Sequence, residues 1–205
     1  ATETEMKEKK LRIEDALNAK IKAEKLAKIV AAQKKDGSLV EQQQASSTNN
    51  FGEEWGAPEV REQNVATYTF FENAFKNREY DKALEYMYKL IEVCPAARVG
   101  IYANGAEIYR HRIIFSKTMD EKSGYVNKLM ELYDYRLAAF ADHKEYGEVY
   151  ILKNKAKDYY KYRSEDKQGM LQLFRRAIEI DPEIDPMFIN QYFQVLVDEY
   201  KNLNV

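Results

Sequence analysis

Turn punctuation is what this chain lacks: eight glycines and four prolines are spread over 205 residues. A β-sandwich or barrel needs a turn signal every few residues, and so few Gly and Pro cannot supply them. The stretches between them carry apolar residues at helical spacing, so the expected fold class is all-α. With 45% hydrophobic and 13% aromatic residues the chain can bury a core. Its length suits one ordinary domain plus an extension, or a short repeat array.

Charge and ligand chemistry exclude several functions. The 32 Lys and Arg are matched by 34 Asp and Glu, a net charge of −2, so no global pull toward polyphosphate exists and nucleic acid is not an expected partner. Cys94 is the only cysteine, which rules out an internal disulfide. With only His111 and His143 beside it, no zinc-like ligand spacing arises, and neither a metal nor a cofactor is expected. No apolar run approaches the roughly 18 to 20 residues of a membrane span, so no transmembrane segment is expected. The chain opens on Ala1 rather than methionine, without a charged and apolar leader, which leaves export an open expectation.

Composition divides the chain into three parts. Residues 1–35 hold ten Lys and Arg against six acids, are rich in Ala, Lys, Glu and Leu, and contain no Gly or Pro, which predicts a charged helical arm over about 5–34. Its apolar face is poor. Met6, Ile13, Leu17 and Ile21 share one side, while Leu26, Ile29 and Val30 fall on nearly the opposite one. The arm therefore reads as a solvated helix, as a helix docking its Met6 side into a groove of this or another copy, or as a basic membrane-surface helix that its interleaved acids disfavour. Residues 36–57 turn to Gly, Ser, Gln, Asn and Thr, a linker composition, with the single tryptophan, Trp55, at the far end as an anchor onto the following helix.

Residues 58–205 read as paired amphipathic helices. Helices are expected over about 58–77 and 81–93, with Asp81 as N-cap of the second and Pro95 ending it. In the second, Ala83, Met87, Leu90, Ile91 and Cys94 follow the i, i+4, i+7, i+8 template. A helix through Ile101 and Ile108, another over about 122–141 after a long loop at 116–121, a third pair over about 147–162 and 168–180, and a last helix over about 186–201 complete the pattern.

The segment Tyr80 to Pro95, with Ala83, Met87, Leu90 and Pro95 at its key places, resembles the second half of a tetratricopeptide repeat, a helical hairpin of about 34 residues. Setting the frame there starts one repeat at Asn64 and the next at Arg98. The family's W-x2-L-G-x2-Y pattern then appears as Ile101-x2-Asn104-Gly105-x2-Ile108, with glycine where the first helix must approach its neighbour. Phe174, Ala177 and Pro182 repeat the spacing of Met87, Leu90 and Pro95, whereas Asp158 departs from the pattern. The resemblance implies an α-α superhelix of about three hairpins plus a terminal helix, with a concave face lined by the first helices of each pair. A weaker likeness extends to exported repeat proteins of the Gram-negative envelope. It implies a periplasmic or outer-membrane-associated location, with the cytoplasm as the alternative.

Carried onto this chain, the concave face holds Tyr68, Phe75, Tyr102, Tyr109, Lys155, Tyr159 and Tyr162, expected to contact a peptide or protein segment. Tyrosine suits recognition because it offers large contact area with a polar tip and little rotamer entropy to lose. The family's chaperone-tail clamp is absent, since Tyr68 and Glu72 stand where Lys and Asn are required. Catalysis is not expected: Cys94 reads as a core thiol, and no nucleophile elbow, phosphate loop or metal motif accompanies it. The alternative function is a self-assembling scaffold whose N-terminal arm docks on another copy.

Overall fold

The computed structural model describes residues 52–203, so the expected arm over 5–34 and residues 36–51 of the expected 36–57 linker lie outside the described residues. Within them the chain is all-helical and repeat-like, with seven α-helices and no strand. It divides into two compact units, the first ending at Ala139 and the second beginning at Phe140.

The first unit opens with a 3-10 turn, Glu53–Trp55, ahead of α1 (Pro58–Lys76). Residues 53–55 are folded onto the helix rather than part of a linker. Trp55 is buried, its carbonyl accepts from Asn64 Nδ2 at 2.8 Å, and its ring meets Tyr68 edge-on at 5.4 Å. Gly56, at φ 95°, turns the chain into α1 through a conformation that side chains disfavour. Pro58 sits in the first turn of α1, where its missing N–H removes nothing.

The α1 helix ends in a complete Schellman turn. Glu79 N–H donates to the Ala74 carbonyl at 2.8 Å and Arg78 N–H to that of Phe75 at 3.0 Å, with Arg78 held at φ 59°, a place that usually takes glycine. The next helix, α2 (Tyr80–Val93), therefore begins one residue before the expected start, and Glu79 rather than Asp81 occupies its N-cap, with no side-chain cap bond. Asp81 turns outward instead to pair with Arg112 at 2.6 Å. The stripe Ala83, Met87, Leu90, Ile91 and Cys94 is buried throughout, the arrangement its spacing predicts.

The third helix, α3 (Val99–Ile114), packs against both α2 and α1. Gly105 makes this close: a Cβ there would stand 2.2 Å from Met87 Sδ and 3.0 Å from Leu132 Cδ2. The α4 helix (Met119–Phe140) starts three residues ahead of expectation, because Thr118 Oγ1 accepts from Glu121 N–H at 3.1 Å while the Glu121 carboxylate accepts from Lys117 N–H at 2.8 Å, an exchange close to a capping box.

In the second unit, α5 (Glu148–Tyr162), α6 (Lys167–Ile180) and α7 (Pro186–Leu203) pack in sequence. Asp166 caps α6 by accepting from Gly169 N–H at 2.9 Å. Met170, Phe174 and Ala177 are buried as Met87 and Leu90 are in the first unit, and Phe174 stacks on Phe188 at 4.5 Å.

Candidate functional site

The tyrosines expected to line a groove are largely core residues. Tyr102 and Tyr109 are each 1% exposed, and Tyr159 is also buried. Each ring is admitted to the interior because its hydroxyl finds a partner there. Tyr102 donates to the Pro95 carbonyl at 2.9 Å, Tyr109 shares a 2.6 Å bond with the Tyr88 hydroxyl, and Tyr159 donates to the Asp166 carboxylate. Burial drives the hydroxyl pKa values of Tyr102 and Tyr109 upward. The physical reason for the correction lies in α3, which is buried at Ile101, Tyr102, Gly105, Ala106, Ile108, Tyr109 and Ile113 and open along Ala103, Glu107 and Ile114. A helix with neighbours on several sides buries more than a single stripe.

The remaining expected residues are half-buried: Tyr68 and Phe75 on α1, and Lys155 and Tyr162 on α5. Tyr68 donates to Glu72 Oε1 at 3.0 Å, and burial followed by that bond pushes its pKa up to about 12. The expected stripe thus falls into two half-buried α1 residues and two half-buried α5 residues, each pair in its own unit. Cys94 is buried, and burial pushes its thiol up to about 12, so it carries no thiolate near neutrality.

A different feature of the first unit presents open, chemically mixed surface. The Schellman turn after α1, the start of α2, the end of α3 and the start of α4 enclose a cleft of about 700 Å³. Pocket volumes of this size suit a ligand. His111 lies between two rings, 4.8 Å from Tyr80 and 4.5 Å from Phe115, and its Nδ1 is buried without a hydrogen-bond partner. Beside it, Ile114, Phe115 and Met119 are 63%, 68% and 76% exposed, of which Phe115 lines the cleft.

Charges surround this apolar rim. The Glu79 carboxylate is engaged by Lys82 at 2.6 Å, Asp81 by Arg112, and Glu121 by the backbone of Lys117. Arg78 and Lys117, both exposed, line the same cleft. From the sequence, Lys155 with Arg110, His111 and Arg112 offered charge to an acidic partner, with a solvated helix face as the simpler reading of Arg110 to Arg112, and Arg78, Phe115 and Lys117 were not weighed. Only the Thr118-Met-Asp-Glu121 cap was readable there as a local signal.

No family model, curated protein or solved structure matches this chain. Among the described residues no helix is long and apolar enough to cross a membrane, and no group of three His, Cys, Asp or Glu side chains is placed to hold a metal ion.

Proposed function

We propose that this chain is a non-catalytic interaction module of tetratricopeptide-like helical hairpins that holds a peptide or protein segment. The observation that carries the reading is Phe115, 68% exposed and lining the cleft, with Ile114 and Met119, its near neighbours in sequence, also more than half exposed. An exposed phenylalanine set among charged cleft residues offers an apolar contact for another molecule. Gly105 lends support to the repeat assignment, because it lets α3 approach Met87 of α2 and Leu132 of α4 at once, the role glycine has at that place in the repeat. The surface engaged is the open one, not the tyrosine face of α3.

The test is selection of displayed peptides on the full chain, followed by calorimetric titration. Saturable binding that Phe115→Ser weakens by about tenfold or more is expected. Failure of every selected peptide to bind in titration would overturn the reading. A second reading, self-assembly, is favoured by one feature of α7: Phe193, Val197 and Tyr200 are exposed and share a face at i, i+4 and i+7. Light scattering on the full chain, on Phe193→Glu and on a chain lacking residues 1–50 separates the routes. A monomer in every case rejects assembly.

A further inference from the structure

Resting on the interaction-module reading, we infer that the cleft between the α1–α2 turn and the α3–α4 turn takes an acidic peptide segment, with its carboxylates on Arg78 and Lys117 and an adjacent apolar side chain on Phe115.

Charge accounting singles out these two cations. Glu79 and Asp81 are already committed to Lys82 and Arg112, while Glu121, which accepts from a backbone N–H, keeps one negative charge against the two remaining cations, a surplus of one. Arg78 and Lys117 bring two further positive charges to the same cleft. The α2 helix also begins at its edge with no side-chain cap, so the positive end of a 14-residue helix adds to the local field. A carboxylate can take bidentate bonds from a guanidinium and a point contact from an ammonium.

The backbone at Arg78 points the same way. Its φ of 59° belongs to the left-handed region, where glycine would sit without strain. Arginine gains nothing for the turn itself, whose two hydrogen bonds come from main-chain groups. Residues kept in such conformations at cost tend to be those whose side chains do something. Phe115, in turn, is exposed yet stacked on His111, so an apolar anchor is pre-positioned and little rotamer freedom is lost on binding.

Other occupants fit less well. Residues 1–35 carry ten cations against six acids and would meet like charge. A polyphosphate chain carries a charge on every nucleotide and needs a larger cation surplus than the single positive charge left by four cations and three carboxylates in the cleft lining.

The experiment uses the full chain and a pool of short fluorescein-labelled peptides in which Asp or Glu flank a Leu or Phe. Their Asn and Gln isosteres, and a single-stranded oligonucleotide of similar charge, serve as comparators, with binding read by anisotropy. The acidic peptides are expected to bind, to weaken as salt rises, and to lose about tenfold or more in affinity in Arg78→Gly, Lys117→Gln and Phe115→Ala. Arg78→Gly keeps the turn, and its melting temperature is expected to hold or rise, so lost binding cannot be blamed on misfolding. Acidic peptides that fail to bind, that bind no better than their isosteres, or that ignore Arg78→Gly overturn the inference, as does preference for the oligonucleotide. If library-selected peptides still bind while the acidic pool does not, only the cleft assignment falls. If no peptide binds, the module reading falls with it.

Discussion

Replacing Gly105 with alanine tests the close packing of α3 on Met87 and Leu132, and Gly124→Ala supplies its control. Both glycines lie inside helices, α3 and α4, so each substitution gains about 1 kcal/mol of helix propensity. They differ in what the new methyl meets. At Gly124 no heavy atom lies within 4 Å, whereas at Gly105 the Cβ would lie 2.2 Å from Met87 Sδ and 3.0 Å from Leu132 Cδ2. Ordinary carbon contacts are about 3.5 to 4.0 Å, so Met87 must retreat by more than an ångström. Its side chain is fully buried, so that retreat is resisted by the surrounding core.

Overpacking of this kind costs about 1 to 3 kcal/mol. Gly124→Ala is therefore expected to stabilise by about 1 kcal/mol, and Gly105→Ala to lie about 1 to 3 kcal/mol below it, the propensity gain cancelling between them. Urea denaturation followed by the fluorescence of Trp55 reads this unit selectively, because Trp55 is the only tryptophan and is buried there. Met87→Ala combined with Gly105→Ala should recover part of the loss, since the shortened side chain vacates the space the methyl needs. Equal shifts for the two single variants, in the same direction, would refute the packing argument.

Two further outcomes follow from the buried hydroxyls and thiol. Tyr68 is raised from 10.0 to about 12 and Cys94 from 9.0 to about 12, with Tyr102, Tyr109 and Tyr135 also displaced upward by burial. The folded state thus holds protons that the unfolded chain releases, so stability is intact below about pH 9 and falls as pH rises toward about 12; alkaline melting curves with tyrosinate absorbance should show a late ionisation wave coincident with unfolding, and a single wave completed in the folded protein would contradict it. Tyr88→Phe strands the buried Tyr109 hydroxyl, now bonded at 2.6 Å, at a cost of about 1 to 3 kcal/mol, while Tyr88→Phe with Tyr109→Phe should cost less than the single change; additive losses in the thermodynamic cycle would show that the pair is not coupled.

The helical inventory was legible because its signals are local. Sparse Gly and Pro, the Ala83 to Cys94 stripe and the Trp55 anchor each involve residues within a few turns of one another, and backbone hydrogen bonding within a helix needs nothing further. The starts of α2 and α4 were misplaced for different reasons. Thr118 and Glu121 announce the start of α4, while nothing local announces a left-handed Arg78, since the turn it closes ordinarily carries glycine.

The fate of the tyrosines was decided only in three dimensions. Whether Tyr102 or Tyr109 faces water depends on how many neighbours α3 has and on whether Pro95 and Tyr88 stand within reach of their hydroxyls, and no periodicity encodes that. The cleft is likewise a product of packing, since Arg78, Phe115 and Lys117 come from turns that are distant along the chain. A helix is a short-range cooperative unit that its own residues specify, whereas a surface exists only once several such units have excluded water from one side and left the other open.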